Sequence, residues 1–198
     1  MNFIQIIINF GYFAIALVIF LESGVPFGFI FPGDSLLLTV GILSQRQIFN
    51  PYFLFLICCL AAIGGNLIGY FIGKKWGRGL FEKKNNFFFN PRNLKKAEDF
   101  YQKYGQSAIL IARFIPVIRT FTPIFAGISK MNYKKFLGFT FLGAILWTTI
   151  FIAGGYFLGN ILPQNEKYLL IIVCTVILLF FSPVILLPVI IKLFKKPS

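Results

Sequence analysis

The stretch Arg113-Phe-Ile-Pro116-Val-Ile-Arg119-Thr120-Phe-Thr-Pro123-Ile-Phe-Ala-Gly127 decides how this chain folds. It places two arginines and two prolines inside an otherwise apolar run from Gln106 to Ser129. A run of that length can cross a bilayer, yet arginine is costly in hydrocarbon and proline breaks helices. Such a segment makes sense only if its charges face something other than lipid. The expectation is a re-entrant hairpin over residues 106–129, broken at Pro116 and Pro123, with Arg113 and Arg119 turned toward a ligand.

The rest of the chain fits a membrane setting. It has 198 residues, is 58% hydrophobic and has a mean hydropathy of +0.81, which excludes an ordinary soluble domain. Runs without charge cover residues 3–21, 47–73, 136–165 and 168–191. About 20 apolar residues suffice to cross the hydrocarbon layer. The fold class is therefore all-α integral membrane. No basic residue precedes the first apolar run and no small-residue cleavage site follows it, so residues 3–21 read as a retained span.

A net charge of +13 invites a nucleic-acid reading, but placement argues against it. Of 19 Lys and Arg, nine lie between Lys74 and Lys103; Lys130, Lys134, Lys135, Lys192, Lys195 and Lys196 form two further groups. Clustering beside apolar runs is what the positive-inside rule produces. Cys58, Cys59 and Cys174 lie within apolar runs without metal-ligand spacing. The chain has no histidine, which removes His-dependent acid–base chemistry, His metal sites and catalytic triads. No metal, no cofactor and no enzymatic activity are expected.

The predicted order follows from these signals. A span over 3–21 leads to a re-entrant hairpin over 22–46, whose breaks are Pro26, Pro32 and Gly33, with its tip near Asp34. A span over 50–73 ends at Lys74-Lys75-Trp76, and a basic cytoplasmic loop over 74–104 holds an amphipathic surface helix from Arg92. The second hairpin, over 106–129, must return to the cytoplasmic side, because Lys130, Lys134 and Lys135 follow it. Spans over 134–159 and 168–191 complete about four full crossings, and both termini are expected in the cytoplasm.

An internal repeat supports two opposed hairpins. Gly69-Tyr-Phe-Ile-Gly73 recurs as Gly155-Tyr-Phe-Leu-Gly159, 86 residues on, and the same offset pairs Gly41 with Gly127 and Phe53 with Phe139. Inverted repeats with broken helices are a transporter signature.

The charges expected inside the membrane are Glu22, Asp34, Arg113 and Arg119. Two buried ion pairs that only hold the hairpins together are the plain alternative. The sharper reading is a phosphate site, since guanidinium forks match phosphate oxygens bidentately, with Thr120 and Ser35 adding hydroxyl donors. Glu22 and Asp34 would then neutralise the arginines in the empty state, or take up protons and couple movement to a gradient.

At these residues the chain resembles the bacterial DedA family, part of the VTT-domain superfamily named for SNARE-associated Golgi proteins. The motifs are Glu22-Ser-Gly-Val-Pro26 leading to Pro32-Gly33-Asp34, the arginine stretch, and Gly65-Asn66-Leu-Ile-Gly69-Tyr70-Phe-Ile-Gly73. The resemblance implies opposed re-entrant hairpins and lipid transport in the bacterial inner membrane, with undecaprenyl phosphate as cargo. It places family functional positions on Glu22, Asp34, Arg113 and Arg119. Rival readings are phosphatidylethanolamine translocation or scrambling, a proton-coupled exporter of small cations, an integral-membrane lipid phosphatase and a membrane scaffold. The expected partners are the lipid substrate, protons or another coupling ion, and a second copy in a homo-oligomer.

Overall fold

The structure, a computed structural model, describes residues 3–25, 28, 31–82, 109 and 116–162. Pro26, Arg113, the loop after Glu82, the expected surface helix and the span at 168–191 lie outside those residues. Among the described residues all regular structure is helical. In chain order the helices are α1 (Phe3–Gly24), α2 (Gly33–Gln45), α3 (Pro51–Glu82), α4 (Pro116–Ile128) and α5 (Tyr133–Ile161). Two of them are long and apolar enough to cross a membrane, over Pro51–Trp76 and Tyr133–Ile161.

Polarity is inverted relative to a soluble protein. Phe10, Phe13, Leu56, Leu60, Phe71 and Leu142 are exposed, whereas Glu22, Asn66, Arg119, Thr120 and Thr140 are buried. Outward apolar side chains suit lipid, and buried polar ones must find partners within the protein.

The break between α1 and α2 is tight. Beyond Gly24 the Gly28 N–H donates to Val25 O (2.8 Å) and the Phe31 N–H to Gly28 O (2.9 Å). A methyl on Gly28 would overlap the Glu22 carbonyl, so the chain folds back against the end of α1 there. Pro32 then stands as the N-cap of α2 and Gly33 as its first residue, where the sequence placed a break.

Two expectations are corrected. Pro123 does not break its segment; it stands inside α4, which runs on to Ile128. The ring is buried and packs on Gly69, where a methyl would lie 3.0 Å from the proline Cγ, and the Thr122 hydroxyl donates to Ile118 O (2.7 Å) one turn back. Packing by a neighbouring helix and a threonine hydroxyl are what let a membrane helix keep a proline. Pro116 opens the described part of α4. The second correction is at Lys74-Lys75-Trp76. The uncharged run ends at Gly73, but α3 continues through Lys74 and Lys75 to Glu82, since lysine and arginine are good helix formers.

The chain divides into two compact units. The first holds residues 1–31 and 55–148, hence α1, α4, most of α3 and the first part of α5. In it α1 meets α3 at Gly24 and Gly65, which approach so closely that a methyl on Gly24 would sit 2.8 Å from the Gly65 carbonyl oxygen. Tyr70 stacks on Phe136 (4.6 Å between centroids) beside Ala126 and Ile109, and its hydroxyl donates to Met131 O (2.6 Å). The second unit holds residues 32–54 and 149–198, with α2 and the last part of α5 as its described helices. There the Gln45 side-chain amide donates to Asn160 Oδ1 (3.0 Å).

Each unit contains the same local motif. In the first, a methyl on Gly73 of α3 would overlap Ile124 O of α4, and one on Gly127 would overlap Tyr70 O. In the second, a methyl on Gly155 of α5 would overlap Leu38 O of α2, and one on Gly41 would crowd Ile152 O. The short helices match at the 86-residue offset, Leu38 with Ile124 and Gly41 with Gly127. The long helices match at 82, one turn away from the sequence alignment. Gly-Tyr-Phe-x-Gly carries glycines four residues apart on one face, so a one-turn slip keeps a glycine at the contact.

The short helices also end alike. Gln47 (φ 62°) and Lys130 (φ 51°) take the left-handed conformation, while Ile48 N–H donates to Leu43 O (3.1 Å) and Met131 N–H to Ala126 O (3.0 Å). This is the Schellman arrangement. Asn50 and Asn132 then cap α3 and α5, their side-chain oxygens accepting from Tyr52 and Lys134 N–H at 3.0 Å in both cases.

Candidate functional site

Glu22 lies in the last turn of α1 and Arg119 in the second turn of α4. The structure brings them together. Arg119 Nη2 donates to Glu22 Oε1 in a buried ion pair, with only 6% of the arginine side chain and 3% of the glutamate side chain exposed. The guanidinium carbon also sits 4.7 Å from the ring centre of Trp147 on α5. A flat cation over an indole face is attracted by the ring quadrupole, more strongly when desolvated. Arg119 is therefore fixed between a carboxylate and an aromatic plane, joining three helices of the first unit.

A small cavity of about 10 Å³, room for roughly one water, adjoins this pair. It is lined by Asn66, Ile109, Arg119, Thr122, Pro123, Phe136 and Thr140. Asn66, Thr122 and Thr140 share this largely apolar lining with Arg119, so the arginine has neutral polar neighbours within an apolar bundle. The Asn66 amide also donates to Ala62 O one turn back (2.9 Å).

The other expected residues fall differently. Thr120 is fully buried next to Arg119 in the chain. Ser35 is fully buried too, but its hydroxyl donates to Pro32 O (3.1 Å), so it serves the start of its own helix rather than standing ready as a donor. Asp34 is half-buried in the first turn of α2, within the second unit, where a carboxylate complements the positive end of a helix. Arg113 lies outside the described residues, as does Pro26. Among the described residues no group of three or more His, Cys, Asp or Glu is placed to hold a metal ion.

Sequence reasoning missed Asn66, Thr122, Thr140 and Trp147 as neighbours of the pair. Neutral polar residues in apolar helices carry no charge penalty that would have singled them out. Asn66 offered the one usable signal, an amide in the middle of the span 51–76.

Comparison with known proteins agrees with this picture of a helical membrane protein. Residues 31–157 match the VTT domain. An uncharacterized membrane protein of Mycobacterium leprae is 40% identical over 169 residues, covering 81% of this chain and 76% of that protein. Protein DedA of Escherichia coli K12 is 34% identical over 174 residues, covering 87% and 79%. The inner membrane protein YqjA of the same strain is 34% identical over 158 residues, covering 79% and 71%. No solved structure matches significantly. With most of the chain spanned by these matches, the protein belongs to the DedA family of VTT-domain membrane proteins.

Proposed function

We propose that this membrane protein is a transporter rather than an enzyme, and that it moves a phosphate-headed lipid, undecaprenyl phosphate first, across the bacterial inner membrane. The observation that carries the reading is the buried Glu22–Arg119 pair between the end of α1 and α4. A buried pair is a poor device for stability alone, because desolvating both charges offsets their attraction. It is a good device for a switch. A guanidinium has five donors in a planar fork that suits phosphate. In this reading Glu22 neutralises Arg119 while the site is empty, and the lipid phosphate replaces Glu22. Arg113 and the Thr120 hydroxyl add donors, and a proton on Glu22 or Asp34 couples release to the gradient.

The same reading makes α2 and α4 the inner arms of two re-entrant hairpins that enter from opposite faces, with both termini in the cytoplasm. The interruption between the end of α1 at Gly24 and the start of α2 at Gly33 supports it, and so does the shared glycine motif.

The tight enclosure of Arg119 by Glu22 and Trp147 favours a second reading, in which the pair only ties α1 to α4. The exchange Glu22→Arg with Arg119→Glu separates the two. A structural tie tolerates it, whereas a phosphate site loses transport.

The direct experiment reconstitutes the protein in liposomes and follows polyprenyl phosphate and phosphatidylethanolamine between leaflets in parallel. Movement of polyprenyl phosphate is expected. Movement of phosphatidylethanolamine alone reassigns the protein as a phospholipid translocase, and no movement beside a working control overturns the proposal.

A further inference from the structure

The shared motif ends in opposite chemistry in the two units. In the first unit, Gly127 of α4 lies against the backbone of Gly73 and Lys74, where a methyl would sit 2.6 Å from the Lys74 nitrogen. The Tyr70–Met131 hydrogen bond and the rings of Tyr70 and Phe71, each 5.9 Å from Tyr133, hold the end of the α3 span against the turn into α5. Lys74 and Lys75 therefore lie at the same end of the first unit as Lys130, Lys134 and Lys135, and all five are exposed. Trp76, 57% exposed, carries the Lys75 ammonium 5.0 Å from its ring centre.

The second unit builds the same turn and cap with Arg46 as the basic residue of its turn and no lysine. At the matching positions, 82 residues apart, Tyr156 and Phe157 stand for Lys74 and Lys75, and Tyr52 and Phe53 for Lys134 and Lys135. Gln47 takes the left-handed place of Lys130. Those aromatics are exposed as well, Tyr52 by 84% and Phe157 by 67%. Backbone geometry thus does not demand lysine at this end of the motif. Five lysines there are a choice of surface.

We propose that the lysine end of the first unit is a docking site for anionic phospholipid headgroups of the bilayer, with Trp76 seated at the same interfacial depth. The placement fits, because the five lysines lie at the ends of the apolar stretches of α3 and α5 and in the turn before α5, where basic residues flank spans beside the headgroups. Lysine is a compact donor that serves many headgroup geometries, which suits phosphodiesters in a fluid layer. Basic residues at the membrane surface attract anionic lipid strongly enough that each is worth about fivefold in binding. The site is separate from the Glu22–Arg119 pair and does not depend on the transport reading.

The test uses the full-length protein in detergent micelles doped with phosphatidylglycerol or phosphatidylcholine, with bound lipid counted by native mass spectrometry. The expected result is preferential retention of phosphatidylglycerol, falling roughly 25-fold in Lys134→Gln/Lys135→Gln. Retention should return in Lys134→Arg/Lys135→Arg, and stay at the wild-type value in Tyr52→Gln/Phe53→Gln. Equal retention of the two lipids by the wild type would overturn the proposal and leave the lysines to set topology or meet an acidic protein. Unchanged phosphatidylglycerol retention in the glutamine variant, with a wild-type melting curve, would overturn it as well.

Discussion

Helices α2 and α4 each lay a glycine against a long helix, and each ends in a left-handed residue followed by an asparagine cap. What they carry differs. On α4, Arg119 is buried between Glu22 and Trp147, with Thr120 and Thr122 buried beside it in the chain. On α2, Asp34 is half-exposed in the first turn and Ser35 is bonded to Pro32. The shared part is backbone contact and capping, which any sequence with the right glycines and asparagines can supply. The unshared part is where chemistry resides.

The comparison can be broken most sharply at the ion pair. Arg119→Met should destabilise the protein by about 3–5 kcal/mol, because it leaves Glu22 buried without its partner, while Glu22→Leu/Arg119→Met should recover most of that loss. Asp34→Asn on α2 should cost under about 1 kcal/mol, the scale of a charge at a helix start. Thermal unfolding in detergent reads both. If the two single variants melted alike, the contrast between the helices would fail.

The glycine contacts offer a sharper probe of likeness. Gly73→Ala and Gly155→Ala should each destabilise by about 1–3 kcal/mol through overpacking, and by similar amounts. Gly138→Ala, with nothing within 4 Å of the added methyl, should instead stabilise by roughly 0.5–1 kcal/mol through helix propensity. Smaller again are the caps. Asn50→Ala and Asn132→Ala should cost about 1 kcal/mol each, and a large inequality between them would mean that the two turns are not equivalent.

Much of this was legible in the sequence, and the reasons for the rest are physical. The cost of a buried charge pointed to Glu22 and Arg119, and the structure pairs them. Pro32-Gly33 read as a break because neither residue suits a helix interior, and α2 begins there. Pro123 read the same way and is not a break. Its tolerance depends on Gly69 and Thr122, partners that single-residue propensity does not see. The end of α3 was placed early because lysine ends an apolar span without ending a helix. The one-turn slip between sequence offset and contact offset was invisible, since the motif aligns best at 86 and only the fold shows Gly73 and Gly155 making the same contact. Asn66, Thr122 and Thr140 were missed as a group because only folding brings them to one cavity.

The central claim is that Arg119 holds a phosphate by a planar fork rather than by charge alone. It is tested most directly by the initial rate of polyprenyl phosphate movement in liposomes carrying Arg119→Lys, beside wild type at equal folded protein. The account predicts a fall of at least about 100-fold, with the ammonium still able to pair with Glu22 and keep the fold. A rate equal to wild type would contradict it and leave the pair as a tie between α1 and α4.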